Sequence, residues 1–155
     1  MIEVFFSAFV QVMILALFVF VIGFIARYYY KHKNLSDLNT AKSLKDDNDL
    51  YTAMEKINKL LDRDSDYFNA YYEKALIYMK MKKYDYAIVN FTRYISYNPG
   101  LKYCEETMLK RGECYYNVKD YKLAVMDLEA VKNLLDDRLK IIYEESLKIY
   151  SNEQA

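Results

Sequence analysis

The chain has 155 residues, with 22 Lys plus Arg against 22 Asp plus Glu, one histidine, one proline and three glycines. Balanced charge excludes the basic field that holds nucleic acid. Eighteen tyrosines and eight phenylalanines with no tryptophan suit helices packed through aromatic knobs, and the scarcity of glycine and proline points to an all-α protein.

The first element is an apolar run from Val4 to Ala26 in which only Ser7 and Gln11 are clearly polar. At 1.5 Å per residue it reaches roughly 34 Å as a helix, enough for a hydrocarbon core of about 30 Å. A cleaved signal peptide calls for a positive segment before a shorter apolar core. Glu3 is the only early side-chain charge here, so the run is expected to be a retained transmembrane helix that contacts the lipid bilayer through residues 4–26. Arg27, Lys31 and Lys33 follow it directly, which predicts a single-pass membrane protein with its amino terminus outside and the rest in the cytoplasm. A reversed topology, with the domain in a periplasm or lumen, is the alternative. Tyr28, Tyr29 and Tyr30 fit an interfacial aromatic belt. Ser7 and Gln11 share a helix face, and they serve either to reach interfacial water or to bond a neighbouring span.

Residues 1–33 thus form the span and its basic, aromatic flank, residues 34–151 one helical domain, and residues 152–155 a polar tail. Without Arg27, Lys31 and Lys33 the 22 basic residues fall to 19, and without Glu3 the 22 acidic ones fall to 21, leaving the domain close to neutral.

Within the domain, Ala41, Leu44, Ala53 and Ile57 recur 34 residues later as Ala75, Tyr78, Ala87 and Phe91. A fixed period of this length marks a helical repeat array. Tyr71, Ala75 and Tyr78 lie at helical spacing, and so do Tyr84, Ala87, Ile88, Phe91 and Ile95. Between them Lys82, Lys83 and Asp85 mark a turn, and Asn98-Pro99-Gly100 ends the second helix. The next unit carries Met108, Gly112, Tyr115, Tyr121, Ala124, Leu128 and Val131 at an offset of 37, with three extra residues around Gly100 to Cys104. The earlier unit, Asp37 to Ser65, keeps the small and apolar positions but lacks the aromatics. It is either a degenerate terminal repeat or a plain hairpin joining span to repeats. Leu139, Ile142, Tyr143, Leu147 and Tyr150 then predict a capping helix.

The pattern Tyr71, Ala75, Tyr78, Tyr84, Ala87, Phe91, Pro99 resembles the tetratricopeptide repeat (TPR) family, most closely over Lys83 to Pro99. Tyr94 departs from it, since the family usually has a small residue there. The resemblance implies a short α-solenoid of about three helical hairpins whose first helices line a concave face that takes a protein or peptide partner. Carried over residue by residue, that face has Leu38, Lys42 and Lys45 in the first unit. It has Asn69, Tyr72, Leu76 and Met79 in the second, and Glu106, Leu109, Glu113 and Tyr116 in the third. One subfamily clamps a terminal carboxylate of chaperones with Lys, Asn and Arg. The corresponding Leu38, Lys42, Glu73, Glu106 and Lys110 include two acids that repel it, so that ligand is disfavoured.

Nothing in the chain assembles into a catalytic set. His32 lies in the basic flank, and Cys104 and Cys114 are ten residues apart, about 15 Å along a helix against the roughly 7 Å limit for a disulfide. Cys114 is expected to be a buried apolar thiol. Zinc needs more ligands at closer spacing, and Gly23, Gly100 and Gly112 make no phosphate loop. Asp46, Asp47 and Asp49 lack the glycine and distal glutamate of a calcium loop and read as turn and helix-start residues. No enzyme activity, metal or cofactor is expected. The sequence predicts a membrane-anchored TPR-like adaptor or assembly factor; the alternative is a structural subunit whose transmembrane helix is the main interaction element.

Overall fold

The computed structural model describes residues 2–97 and 101–154, with side chains described for 9–97 and 104–154. The expected stop at Asn98-Pro99-Gly100 and the side chain of Ser7 lie outside the described residues. Seven α-helices and one 3-10 turn, with no strand among the described residues, make an all-α protein. In chain order they are α1 Ile2–Asp46, α2 Leu50–Arg63, α3 Phe68–Lys80, α4 Tyr84–Tyr97, α5 Leu101–Asn117, α6 Tyr121–Ala130, the turn Lys132–Leu134, and α7 Asp137–Glu153.

No turn separates the apolar run from the domain. α1 is one helix of 45 residues because nothing between Gly23 and Asp46 breaks it. Its apolar stretch is unburied, and from Phe9 onward the helix is long and apolar enough to cross a membrane. Membrane spans and amino-terminal signal sequences share that property. Burial begins at Asn34 and continues at Leu38 and Ala41, three side chains on one helix face that packs against α2. One helix therefore changes surroundings along its length, bare at one end and part of a core at the other.

The three helix pairs α1–α2, α3–α4 and α5–α6 are joined by the same turn. Asn48, Lys82 and Lys119 each adopt a positive φ, of 64°, 56° and 66°, and their offsets repeat the 34 and 37 of the side-chain pattern. In each turn the following residue's N–H reaches back five positions: Asp49 to the Leu44 carbonyl at 2.8 Å, Lys83 to Tyr78 at 2.9 Å, Asp120 to Tyr115 at 2.9 Å. This is a Schellman stop with a left-handed residue in place of the usual glycine. Asp49 and Asp120 then cap the next helix through their carboxylates, on the N–H groups of Thr52 and Leu123. The first pair therefore has the hairpin geometry of the other two, although it lacks their aromatics.

Small residues set the packing. Ala53, Ala75, Ala87 and Ala124 are all fully buried at contacts between helices. At Gly112 even a Cβ would meet Leu128 Cγ at 2.8 Å, so α5 and α6 approach too closely for alanine without a shift. Around these positions the core divides into three linked clusters, on Ile57, Leu60 and Ile77, on Phe91 and Cys114, and on Leu128, Leu139 and Tyr143. The last takes α7 onto the end of the stack, with Asp136 as its cap on the Leu139 N–H at 2.7 Å. α7 continues through Ser151 and Asn152 to Glu153, so the polar tail begins as helix.

Candidate partner-binding face

The first helices of the pairs, the domain end of α1 with α3 and α5, carry the residues expected on the inner face, and α7 lies beside α5. Leu38 is core rather than face, at 3% exposed. Lys42 is exposed and Lys45 is not; both reach Glu73, at 3.4 and 2.7 Å, so a buried carboxylate joins α1 to α3. In the second unit Asn69 is exposed while Leu76 and Met79 pack half-buried on the Phe91 cluster. Tyr72 sets its ring 5.9 Å from Phe91 and 5.2 Å from Tyr94, and donates its hydroxyl proton to Glu106 at 2.8 Å. Tyr94, the position that departs from the family pattern, fills this space with a ring where a small residue would leave a gap.

In the third unit the face is covered beyond Glu106, which stays exposed. Glu113 accepts two hydrogen bonds from Arg138 of α7, at 2.6 and 2.9 Å, and Tyr116 donates to Glu145 of α7 at 2.6 Å. Leu109 packs on the cluster that holds α7. Of the eight candidate residues in the second and third units, the structure thus brings Tyr72 and Glu106 together, places Leu76 and Met79 in one cluster, leaves Asn69 exposed, and turns Leu109, Glu113 and Tyr116 toward the capping helix.

These bonds form a ladder in which each rung ties one helix of the face to the next. Burial, and then the bond to Glu106, hold the Tyr72 phenol well above its ordinary range, and the bond to Glu145 raises Tyr116. Both remain donors at neutral pH. Glu73, which was expected to repel a carboxylate, is instead neutralised by two lysines.

Sequence reasoning missed two polar clusters. Arg111 of α5 donates to both carboxylate oxygens of Asp127 of α6, each at 2.7 Å, and to the Thr92 hydroxyl of α4 at 3.0 Å. Asn34 accepts from Arg63 at 3.1 Å and donates to Asp64 at 3.0 Å, while Arg63 also holds Asp37 at 2.5 Å. The buried positions 34, 38 and 41 share one helical stripe, which is the signal that could have flagged Asn34. No such signal marks Arg111.

Repeated pairs with one turn geometry, closed by an added helix, define an all-α helical-repeat protein. Residues 69–100, which take in α3 from Asn69 onward, α4 and the turn between them, match the family described as tetratricopeptide repeat. That match supports kinship with the family and, with it, a module for protein–protein interaction. No curated protein matches the chain.

Proposed function

We propose that the protein is a membrane-anchored interaction module, an adaptor or assembly factor that holds a peptide or helix of a partner on the inner face of its repeats. The observation that carries this reading is the continuity of α1, whose apolar stretch and first packed helix are one element. A domain joined in this way cannot swing freely, and confinement to a membrane raises its effective concentration toward partners on the same surface. Arg27, Lys31 and Lys33 put the domain on the cytoplasmic side by the positive-inside rule. The mechanism is tethering without turnover.

A second reading makes the span itself the interaction element. It is favoured by the bare apolar side chains from Phe9 to Ile25 and by Gly23, where an added Cβ would meet nothing within 4 Å. A neighbouring helix could approach there.

In-cell crosslinking of the tagged full-length chain separates the two. One arm compares the wild type with Lys42→Ala/Asn69→Ala/Glu106→Ala, which alters the open part of the face, and the other exchanges residues 4–26 for an unrelated span. The adaptor reading expects a specific neighbour to vanish in the triple variant and to survive the exchange. The reverse pattern, with the domain still folded and inserted, establishes the structural-subunit reading.

A further inference from the structure

The stripe of α1 that builds the core runs out of partners before it reaches the apolar segment. Asn34, Leu38 and Ala41 are buried against the domain, but α2 ends at Arg63, level with Asn34 and Asp37. The same stripe continues as Lys31 and Arg27, three and seven residues before Asn34, with Tyr30 beside them. There the α1 face is uncovered, and the end of α2 with the following loop overhangs it as Arg63, Asp64 and Tyr67. The result is a cleft of about 430 Å³ between the two walls, within the size range of small-ligand sites.

Depth and charge say what the cleft suits. At 1.5 Å per residue, Arg27 and Lys31 stand about 2 and 8 Å beyond the last apolar residue, Ala26. The polar layer on each side of a bilayer is roughly 5 to 8 Å deep, so both cations lie at headgroup level. Among the described residues neither has an ion-pair or hydrogen-bond partner. Arg63 is oriented by Asp37 and Asn34, and Asp64 by Asn34, so the overhanging wall is fixed before anything binds. Three cations line the cleft against one carboxylate, and Asp37 behind Arg63 removes a further charge. About one positive charge is left uncompensated, the complement of one phosphodiester.

We propose that this cleft binds the phosphodiester of an anionic phospholipid headgroup, with Arg27 and Lys31 reaching it from the span and Arg63 from the domain. The assignment rests on the membrane reading above. A lipid held there bridges α1 and the α2–α3 loop, so the domain's seating on the membrane depends on the lipid as well as on the helix.

The test uses the full-length chain in nanodiscs of phosphatidylcholine with or without about a third phosphatidylglycerol, followed by release and native mass spectrometry of retained lipid. Phosphatidylglycerol should be retained preferentially. A basic side chain at a membrane surface contributes about fivefold, so Arg27→Gln/Lys31→Gln should lower retention by about 30-fold. Lys31→Gln and Lys33→Gln each remove one charge, but only Lys31 lines the cleft; the first should lower retention and the second leave it nearly unchanged. Equal effects of the two would mean a diffuse basic surface and overturn the proposal, as would equal retention of both lipids. Soluble glycerophosphate at millimolar concentration should not displace the lipid; displacement would assign the cleft to free phosphate esters instead. Alkaline extraction reports the anchor separately: a chain washed off the bilayer refutes the membrane reading and this proposal together, whereas a resistant chain without lipid preference refutes this proposal alone.

Discussion

Arg111→Met, Asp127→Leu and the double variant together test how the third pair is held. Arg111 gives Asp127 two hydrogen bonds of 2.7 Å and Thr92 a third, with side chains only 15% and 9% exposed. Removing either partner strands a charge in a site that water barely reaches, which costs about 3 to 5 kcal/mol. Replacing both with apolar groups of similar length removes the attraction and the desolvation cost together, so the double variant should lie within about 1 to 2 kcal/mol of the wild type. The expected coupling is therefore large, at least about 4 kcal/mol. At roughly 4 °C per kcal/mol for a domain of this size, each single variant should melt about 12 to 20 °C lower. Near-ultraviolet tyrosine dichroism in detergent is the appropriate readout, because the apolar part of α1 stays helical in a micelle. Single costs below about 1 kcal/mol, or a double cost equal to their sum, would refute the argument and make the pair an ordinary surface bridge.

Ala87 is fully buried between α3 and α4, so Ala87→Leu should overpack the contact and cost about 1 to 3 kcal/mol in urea unfolding. Lys82 and Lys119 sit in the left-handed region, where an L-residue is strained by about 1 to 2 kcal/mol; Lys82→Gly/Lys119→Gly should raise the melting temperature, since glycine's entropy cost of about 0.5 to 1 kcal/mol per site is smaller. Burial pushes the Cys114 thiol from an ordinary 9.0 up to about 12. Its neutral form is the one the core accepts, so its contribution is complete below pH 9 and falls as pH rises from there toward 12. Comparing wild type with Cys114→Ala across that range should show a steeper loss in the wild type.

The period of 34 was legible because it lies in small residues, and Ala41, Ala53, Ala75 and Ala87 are small for one physical reason, the close approach of paired helices. The hairpin of the first pair was recognisable for the same reason, although the aromatics of the later pairs are absent from it. Its turn residue, Asn48, suits a left-handed conformation, whereas nothing about Lys82 or Lys119 announces one. Arg111 and Asp127 are 16 residues apart and each reads singly as a solvated charge; only the stacking of α5 on α6 makes them a buried pair. Register alone assigned the expected inner-face residues to the first helices of the pairs, although Leu38 is core and Lys45 is turned onto Glu73. Which part of the face stays open depends on where α7 docks, and that is a tertiary outcome no local pattern records.

That docking sets the size of any occupant of the face. The polar rungs from α7 are weak holds, because Arg138 is 59% exposed and such pairs contribute about 0 to 1 kcal/mol. The apolar seal is different: Leu139 and Tyr143 are at most 8% exposed on the Leu128 cluster, and full burial of side chains of this size contributes about 1.5 to 3 kcal/mol each. Displacing α7 would therefore cost several kcal/mol before a partner made its first contact, so α7 acts as a fixed wall and not as a removable lid. A partner on this face is limited to the stretch between Lys42 and Glu106, about two interhelical spacings of 8 to 10 Å. Both ends of that stretch already have partners, Lys42 with Glu73 at 3.4 Å and Glu106 with Lys110 at 3.6 Å, while Asn69 is its one exposed neutral position among the expected inner-face residues. A short segment fits a stretch of that length better than a long helix, which would have to displace α7.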